Sequence, residues 1–266
     1  SEELNDEGAS KYVQYIGILR WAVELGRIDI LTEVAQLSSH NCLPRVGHLE
    51  AVYSIFSYLK QELKHGRLGK LVFRDCLPEI NENRFEQADW HDMYGDVEEA
   101  RPIKAPKPRG KTVKVKCYVD ADHAGNLITR RSHTGILIFL QNAPIQWYSK
   151  KQNTVESSTF GSEVVAMRTA VEMLEGIRYT LRMFGVPIDG PADVFCDHQA
   201  VVHISQRPED RLSKKHNAIC FHRVREAVAA GWVRVAKEPT ESNLADLFTK
   251  ILEGPQRVRL AKEILY

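Results

Sequence analysis

The feature that most constrains this chain is a change of hydrophobic pattern at residue 111. From there, apolar residues alternate with polar ones, which is typical of a β-strand with one buried face. The apolar positions are Val113, Val115, Cys117 and Val119. Asp120 ends this predicted strand. Two further β-rich runs, 134–140 and 144–149, flank a three-residue turn and predict a hairpin, so three consecutive antiparallel strands are expected.

Beyond residue 150, helix and strand patterns alternate. A long helix is predicted to have Thr159 as its N-cap and to end at Gly185, with an apolar stripe along one side. The stripe consists of Phe160, Val164, Met167, Val171, Leu174, Leu181 and Phe184. The later elements are a strand at 193–196, helices at 199–206 and 216–230, a strand at 232–236 and a helix at 242–252. The predicted fold class is α/β, a five-stranded mixed sheet with flanking helices.

The first part of the chain has helical patterns instead. Apolar residues recur at helical spacing over 11–37, with a break near Gly26, and again over 46–63. Acidic residues accumulate over 79–99, and 101–116 is basic and contains several prolines, a composition typical of a linker. The predicted domains are a helical segment 1–75, a linker 76–110, an α/β domain 111–252 and a C-terminal tail 253–266.

Composition excludes several classes of protein. Lys and Arg number 36 against 35 acids, so the net charge of +1 does not indicate a nucleic-acid partner. The five cysteines are scattered and form no CxxC pair, so neither a disulfide framework nor a zinc knuckle is expected, and a reducing compartment fits. The acidic start of the chain and the lack of a long apolar run predict no secretory signal and no membrane partner. Because the chain lacks an initiating Met, we expect a piece of a longer protein.

Four acidic residues occupy the places where functional groups gather in α/β sheets, at strand ends and helix starts. Asp120 and Asp197 follow the first and fourth strands, Glu163 lies in the first turn of the long helix, and Asp246 begins the last helix. If the first, fourth and fifth strands are neighbours, these carboxylates converge. Clustered carboxylates repel one another, so such a cluster requires hard cations, and two Mg²⁺ ions are predicted.

Six segments resemble, in order, the signature of copia-type ribonuclease H domains. They are Tyr118-Val-Asp-Ala-Asp-His-Ala-Gly125, Arg130-Arg-Ser-His-Thr-Gly135, Gln146-Trp-Tyr-Ser-Lys-Lys-Gln152, Ser157-Ser-Thr-Phe-Gly-Ser-Glu-Val-Val-Ala166, Cys196-Asp-His-Gln199 and Asn243-Leu-Ala-Asp-Leu-Phe-Thr-Lys250. Upstream, Tyr15-Ile-Gly-Ile-Leu-Arg-Trp21, Arg27-Ile-Asp-Ile30, Gly47-His-Leu-Glu-Ala51 and Ile55-Phe-Ser-Tyr-Leu-Lys60 are similar to the thumb and connection region of the reverse transcriptase in the same Pol polyproteins.

The resemblance implies a ribonuclease H-like fold preceded by a small thumb-like helical segment. It implies Mg²⁺-dependent cleavage of the RNA strand of RNA–DNA hybrids, with two ions, or Mn²⁺ in their place, held by four acids. Those acids are Asp120, Glu163, Asp197 and Asp246. The implied partners are the hybrid and the fingers and palm of the parent reverse transcriptase, and the implied location is intracellular, in cytoplasmic virus-like particles and the nucleus.

The chain also departs from the family. It lacks the Tyr-x-Asp-Asp polymerase motif, so we do not expect it to make DNA by itself. His123 stands where the family usually has Trp, and Phe160-Gly161-Ser162-Glu163 replaces the common Glu-Ala-Glu. All four acids remain, so neither change predicts an inactive site.

Other residues allow a structural and a functional interpretation. Asp122 is interpreted as a turn residue, because only one of two neighbouring acids can directly follow the strand. The aromatic residues Trp147 and Tyr148, like the helix stripe, are interpreted as core. His216 and His222 are six residues apart, which is no metal spacing on a shared helix face. Four basic residues are interpreted either as solvated turn charges or as phosphate contacts. These are Arg130, Arg131, Lys150 and Lys151.

Two other functions remain open. An integrase-type DNA strand transferase also uses acids and two metals, although the chain has no upstream His/Cys zinc module. An inactive remnant or connection-type module would fold and bind nucleic acid without cutting it.

Overall fold

The computed structural model describes residues 1–64, 71, 80–212 and 214–265. Its backbone forms two compact units. The helical unit consists of the described residues of Ser1–Val72 and Lys250–Tyr266, and the sheet unit of those of Phe73–Thr249. The predicted domain division stays a prediction. Its boundary between residues 75 and 76, like Cys76 itself, lies outside the described residues.

The five strands, and the helices between β3 and β5, follow one another in the order that the hydrophobic patterns predict. The α-helices are α1 (Asp6–Glu24), α2 (Leu31–Ser38), α3 (Val46–Lys64), α4 (His91–Tyr94), α5 (Thr159–Met183), α6 (Gln199–Gln206), α7 (Ala218–Ala229) and α8 (Gly254–Ala261). The strands are β1 (Val115–Asp122), β2 (His133–Leu140), β3 (Ala143–Lys151), β4 (Ala192–Cys196) and β5 (Val233–Lys237). Within the described residues, no helix combines the length and apolar character that a membrane span requires.

The helical unit is built on α1. The side chain of Asn5 caps this helix by accepting a hydrogen bond from the backbone N–H of Gly8, 2.9 Å away. The buried residues of α1 recur at helical spacing, and they are Tyr12, Ile16, Leu19 and Val23. The helix stops before Gly26, whose φ of +113° lies in the left-handed region. The predicted helical patterns and the break between them are therefore confirmed.

The sheet has the strand order β3-β2-β1-β4-β5. β1, β2 and β3 pair antiparallel, whereas β4 pairs parallel to both β1 and β5. This confirms the predicted five-stranded mixed sheet. β1 and β4 lie side by side, as the predicted convergence of acids requires.

One face of the sheet packs against α5. The buried residues of β1 on this face, Val115, Cys117 and Val119, meet the buried stripe of the helix, which comprises Val164, Met167, Val171 and Leu174. The prediction that the stripe remains core as far as Phe184 was wrong, because this side chain is 77% exposed. A helix of 25 residues is about 37 Å long, whereas the eight-residue β1 spans about 26 Å, so the end of α5 extends past the sheet.

Three local predictions require correction. β1 does not end at Asp120, since pairing with β2 continues to Asp122 opposite His133. The N-cap of α5 is Ser158 rather than Thr159, and its hydroxyl accepts the N–H of Gly161 at 3.2 Å. Residues 242–252 do not form an α-helix. Two 3₁₀ turns, Thr240–Ser242 and Leu244–Phe248, are separated by the extended backbone of Asn243, which interrupts helical hydrogen bonding.

Two segments contain more structure than their composition predicts. Residues 254–261, within the predicted C-terminal tail, form α8, which has Pro255 in its first turn. The described part of the predicted linker lies within the sheet unit, where Phe85 and Trp90 are buried. The Phe85 ring lies 6.0 Å from that of Phe195 in β4, so aromatic burial holds this segment against the sheet.

Candidate metal centre

Three of the four predicted acids meet at one end of the sheet. Asp120 lies within β1, opposite Gly135 of β2. Asp197 directly follows β4, and Asp246 lies in the 3₁₀ turn Leu244–Phe248. One carboxylate oxygen of each lies within 4.8 Å of the other two. Asp120 and Asp246 are buried, so the structure concentrates negative charge in a site with limited access to water.

The turn that carries Asp246 is fixed by Asn243 and Gly135. The side-chain amide of Asn243 donates to the carbonyl of Val119 in β1 at 3.1 Å, and its oxygen accepts the N–H of Ala245 at 3.1 Å. A Cβ at Gly135 would lie 2.7 Å from the carbonyl oxygen of Ala245. Only glycine therefore allows the turn to approach β2 so closely.

A buried hydroxyl next to the cluster orients Asp120. The hydroxyl of Thr249, just after the 3₁₀ turn, donates a hydrogen bond to one carboxylate oxygen of Asp120. Thr249 is fully buried. This contact links the turn that carries Asp246 directly to the acid of β1.

The fourth predicted acid, Glu163, belongs to a second group. Its carboxylate lies within 4.8 Å of ligand atoms of Asp197 and of the thiol of Cys196. Asp197 therefore belongs to both groups.

The start of α5, which carries Glu163, is fixed by the buried side chain of Gln152. Its amide nitrogen donates to the hydroxyl of Thr134 at 3.0 Å and to the carbonyl of Ser162 at 2.9 Å.

Nearby thiol and imidazole groups are held neutral. Burial raises the pKa of the Cys196 thiol well above its usual value, and the carboxylates of Glu163, Asp197 and Asp120 raise it further. At the same end of the sheet, burial lowers the pKa of His133 to about 4, with a further contribution from Lys151. At neutral pH His133 therefore carries no positive charge that could offset the acids.

The donor set suits a hard divalent cation. Buried carboxylate oxygens close together are ligands that Mg²⁺ and Mn²⁺ prefer.

Asp122 takes a different position. Its carboxylate lies against the backbone of Gly125, where an added Cβ would come within 1.6 Å of it. Asp122 is the last residue of β1 and pairs with His133, so its interpretation as a turn residue was wrong, although its side chain folds onto the following loop.

The four basic residues lie outside the two acid groups. Arg131 donates to the carbonyl of Asn153 at 2.7 Å. Arg130 is exposed and has a φ of +55°, Lys150 is exposed, and Lys151 lies opposite His133 in the sheet register. Lys151 and Asp122 therefore lie at the same end of the sheet, both opposite His133.

The two histidines of the α7 region have separate partners. A ring nitrogen of His216 lies 3.2 Å from a carboxylate oxygen of Glu156, and one of His222 lies 2.8 Å from the hydroxyl of Tyr94.

Sequence reasoning missed Cys196, Asn243 and Thr249 as parts of the centre. All three lie within the quoted sequence blocks, next to the acids or a few residues away, so the signal was present in the blocks themselves.

Comparison with known proteins gives the chain its relatives. No family model matches it. It is 26% identical over 255 residues, 96% of its length, to the retrovirus-related Pol polyprotein from transposon RE1 of Arabidopsis thaliana. It is also 39% identical over 171 residues to secreted RxLR effector protein 161 of Plasmopara viticola, covering 64% of this chain and 92% of that protein. The chain belongs to the copia-type Pol family.

This Pol segment spans about 15% of the length of the RE1 polyprotein. The word "secreted" in the name of the Plasmopara protein refers to that protein alone. Among solved structures, LC11-RNase H1 in complex with an RNA/DNA hybrid is similar, with a TM-score of 0.42 and 18% identity, over 51% of this chain and 94% of the other.

Proposed function

We propose that this copia-type Pol segment is a ribonuclease H that hydrolyses the RNA strand of RNA–DNA hybrids with the help of two Mg²⁺ ions. The observation that carries the proposal is the convergence of Asp120, Asp197 and Asp246 within 4.8 Å from β1, the end of β4 and the 3₁₀ turn. Membership of the copia-type Pol family supports it, because reverse transcription passes through RNA–DNA hybrids.

Each acid has a role that follows from its place. Asp120, Asp197 and Asp246 would hold one ion, and Glu163 would share Asp197 to hold the second. Bound Mg²⁺ would lower the pKa of the attacking water and neutralise charge that develops on the scissile phosphate. Thr249 keeps the Asp120 carboxylate in one orientation, and Asn243 holds the Asp246 turn against β1. These acids act as ligands rather than as general acids.

The substrate would be recognised by its shape and its 2′-hydroxyl groups rather than by base sequence. Lys150 and Lys151, at the end of β3, and Arg130 and Arg131, before β2, are the basic side chains that we propose as phosphate contacts. Arg131 combines this role with a structural one, since it also bonds to Asn153. In the parent polyprotein, we propose that the fingers and palm of the reverse transcriptase deliver the hybrid.

Hydrolysis of an end-labelled RNA–DNA hybrid by the full chain in Mg²⁺ tests the proposal. Asp120→Asn keeps the size of the side chain but removes its charge. We expect it to lower the rate by about a hundredfold or more, which corresponds to ~2.7 kcal/mol of transition-state stabilisation. Asp122→Asn is the matched control. It lies two residues away in β1, but its carboxylate faces Gly125, so activity should be retained.

Equal rates for the wild type and Asp120→Asn would overturn the proposal. Cleavage of double-stranded DNA or joining of DNA ends, in place of hybrid hydrolysis, would point to the strand-transferase alternative. No hydrolysis of any substrate by a chain that is folded and binds hybrid would identify an inactive module.

A further inference from the structure

A thiol lies inside the candidate metal centre. Cys196 is the last residue of β4 and is fully buried. Its sulfur lies within 4.8 Å of ligand oxygens of Glu163 and Asp197. The backbone N–H of His198 points to this sulfur at 3.4 Å, a contact that would stabilise negative charge on it. The spacing of the cysteines predicts no such site, because the chain contains no CxxC pair.

We propose that Cys196, Glu163 and Asp197 form a mixed thiolate–carboxylate site that binds thiophilic cations such as Zn²⁺ or Cd²⁺ and thereby excludes Mg²⁺ from the centre. Zinc accepts sulfur and carboxylate oxygen together, whereas Mg²⁺ takes oxygen ligands almost exclusively. The single sulfur therefore favours thiophilic cations without adding a ligand for Mg²⁺.

Binding is a proton-for-metal exchange with no redox change. The S–H bond of Cys196 breaks, its proton passes to the solvent, and a sulfur–metal bond forms, because a coordinating thiol is deprotonated by the metal itself. The carboxylates of Glu163 and Asp197 supply the other bonds. No oxidant or further reactant is needed.

Sharing of Asp197 turns this second site into a switch. Asp197 belongs both to the Glu163–Cys196 group and to the group with Asp120 and Asp246. A thiophilic cation on the sulfur would withdraw Asp197 and Glu163 from the two hard ions. This consequence rests on the proposed function, whereas the binding of the thiophilic cation does not.

Cadmium titration of the full chain tests the site through the ultraviolet charge-transfer absorption of a cadmium–thiolate bond. The titration uses a background in which Cys42, Cys76 and Cys220 are replaced by Ser, so that Cys117 and Cys196 remain. In this background we expect one saturating thiolate band, which excess Mg²⁺ shifts to higher Cd²⁺ concentration. Cys196→Ala should remove the band and weaken Cd²⁺ binding by at least about tenfold.

Cys117→Ala is the matched control. Cys117 is also fully buried, in the neighbouring strand β1, but it is absent from both metal-binding groups, so the band should persist. Melting curves show whether each variant is folded, and Cys196→Ser replaces Cys196→Ala if the latter is not. No band in the background chain, or an equal band after loss of Cys196, would overturn the inference and leave Cys196 as a small apolar core residue.

The outcomes separate this inference from the proposed function. A thiolate band in a chain that hydrolyses no hybrid supports the mixed site and contradicts the nuclease. Hybrid hydrolysis by a chain that gives no thiolate band supports the nuclease and contradicts the mixed site. If both hold, micromolar Zn²⁺ should inhibit the background chain more strongly than its Cys196→Ala variant.

Discussion

Negative charge has opposite surroundings at the two ends of β4. At the start of β4, Asp193 is buried and pairs with Arg234 of β5, with 2.5 Å between carboxylate oxygen and guanidinium nitrogen. Four residues later, at the other end of the same strand, Asp197 meets two other acids, Asp120 and Asp246. One short strand therefore begins at a salt bridge and ends at a cluster of like charges.

The salt bridge at one end of β4 has a structural role, and we propose a functional one for the acid cluster at the other end. Where Arg234 faces Asp193, the chain supplies its own counter-charge, and the pair helps to fix the strand register. Where carboxylates face each other, repulsion is a cost that a divalent cation can offset. The paired end should therefore respond to mutation through stability, and the acidic end through metal binding and activity.

Glu99 should give the largest effect on stability, because its side chain, which is 9% exposed, lies between two arginines. Burial acts to raise its pKa, but hydrogen bonds from Arg178 and Arg182 hold this pKa below its usual value. Glu99→Gln leaves the guanidinium of Arg178, which is 3% exposed, without its carboxylate. We expect the free energy of unfolding, measured with denaturant, to fall by about 3–5 kcal/mol. Exposed Glu98→Gln should change it by less than about 0.5 kcal/mol.

His133 should make the stability depend on pH at the acidic end. Burial lowers its folded pKa from 6.5 to about 4, so the folded state holds it neutral. Its contribution is therefore present above pH 6.5 and is lost as the pH falls towards 4, because the unfolded chain binds the proton first. The loss is roughly 3 kcal/mol over this window. Denaturation series at several pH values should show a shallower slope for His133→Gln, and an unchanged slope would contradict the buried neutral state.

Magnesium should stabilise the acidic end of the sheet alone. At a concentration about a hundredfold above its dissociation constant, Mg²⁺ should raise the free energy of unfolding by about 2.7 kcal/mol. Asp246→Asn removes one of the clustered charges. It should melt higher than the wild type without Mg²⁺ and gain little when Mg²⁺ is added. Asp189→Asn, at an exposed acid that pairs with Lys114, should keep the full gain. A gain of the same size in all three chains would show that Mg²⁺ binds elsewhere.

The sequence predicts the acidic end better than it predicts how that end is assembled. Period-two alternation and the acids at strand ends are local signals, so the sheet and the candidate acids follow from them. The end of β1 is not local, since pairing with β2 extends it past Asp120 to Asp122. The turn that carries Asp246 depends on a hydrogen bond from Asn243 across the sheet to Val119. The proximity of Cys196 to Glu163 likewise depends on how α5 packs on the sheet.

Thr249 should give the smallest effect, and it distinguishes a positioning residue from a structural one. Its buried hydroxyl donates to the Asp120 carboxylate, and a hydrogen bond to a charged group contributes about 1.5 kcal/mol. Thr249→Val keeps the shape and removes this donor, whereas Thr249→Ser keeps the donor and removes a methyl group. If Thr249 positions the metal ligand, the Val variant should bind Mg²⁺ about tenfold more weakly in titration calorimetry, and the Ser variant should bind normally. If both variants lose stability equally while Mg²⁺ affinity is unchanged, Thr249 only fills space, and the orientation of Asp120 comes from β1 itself.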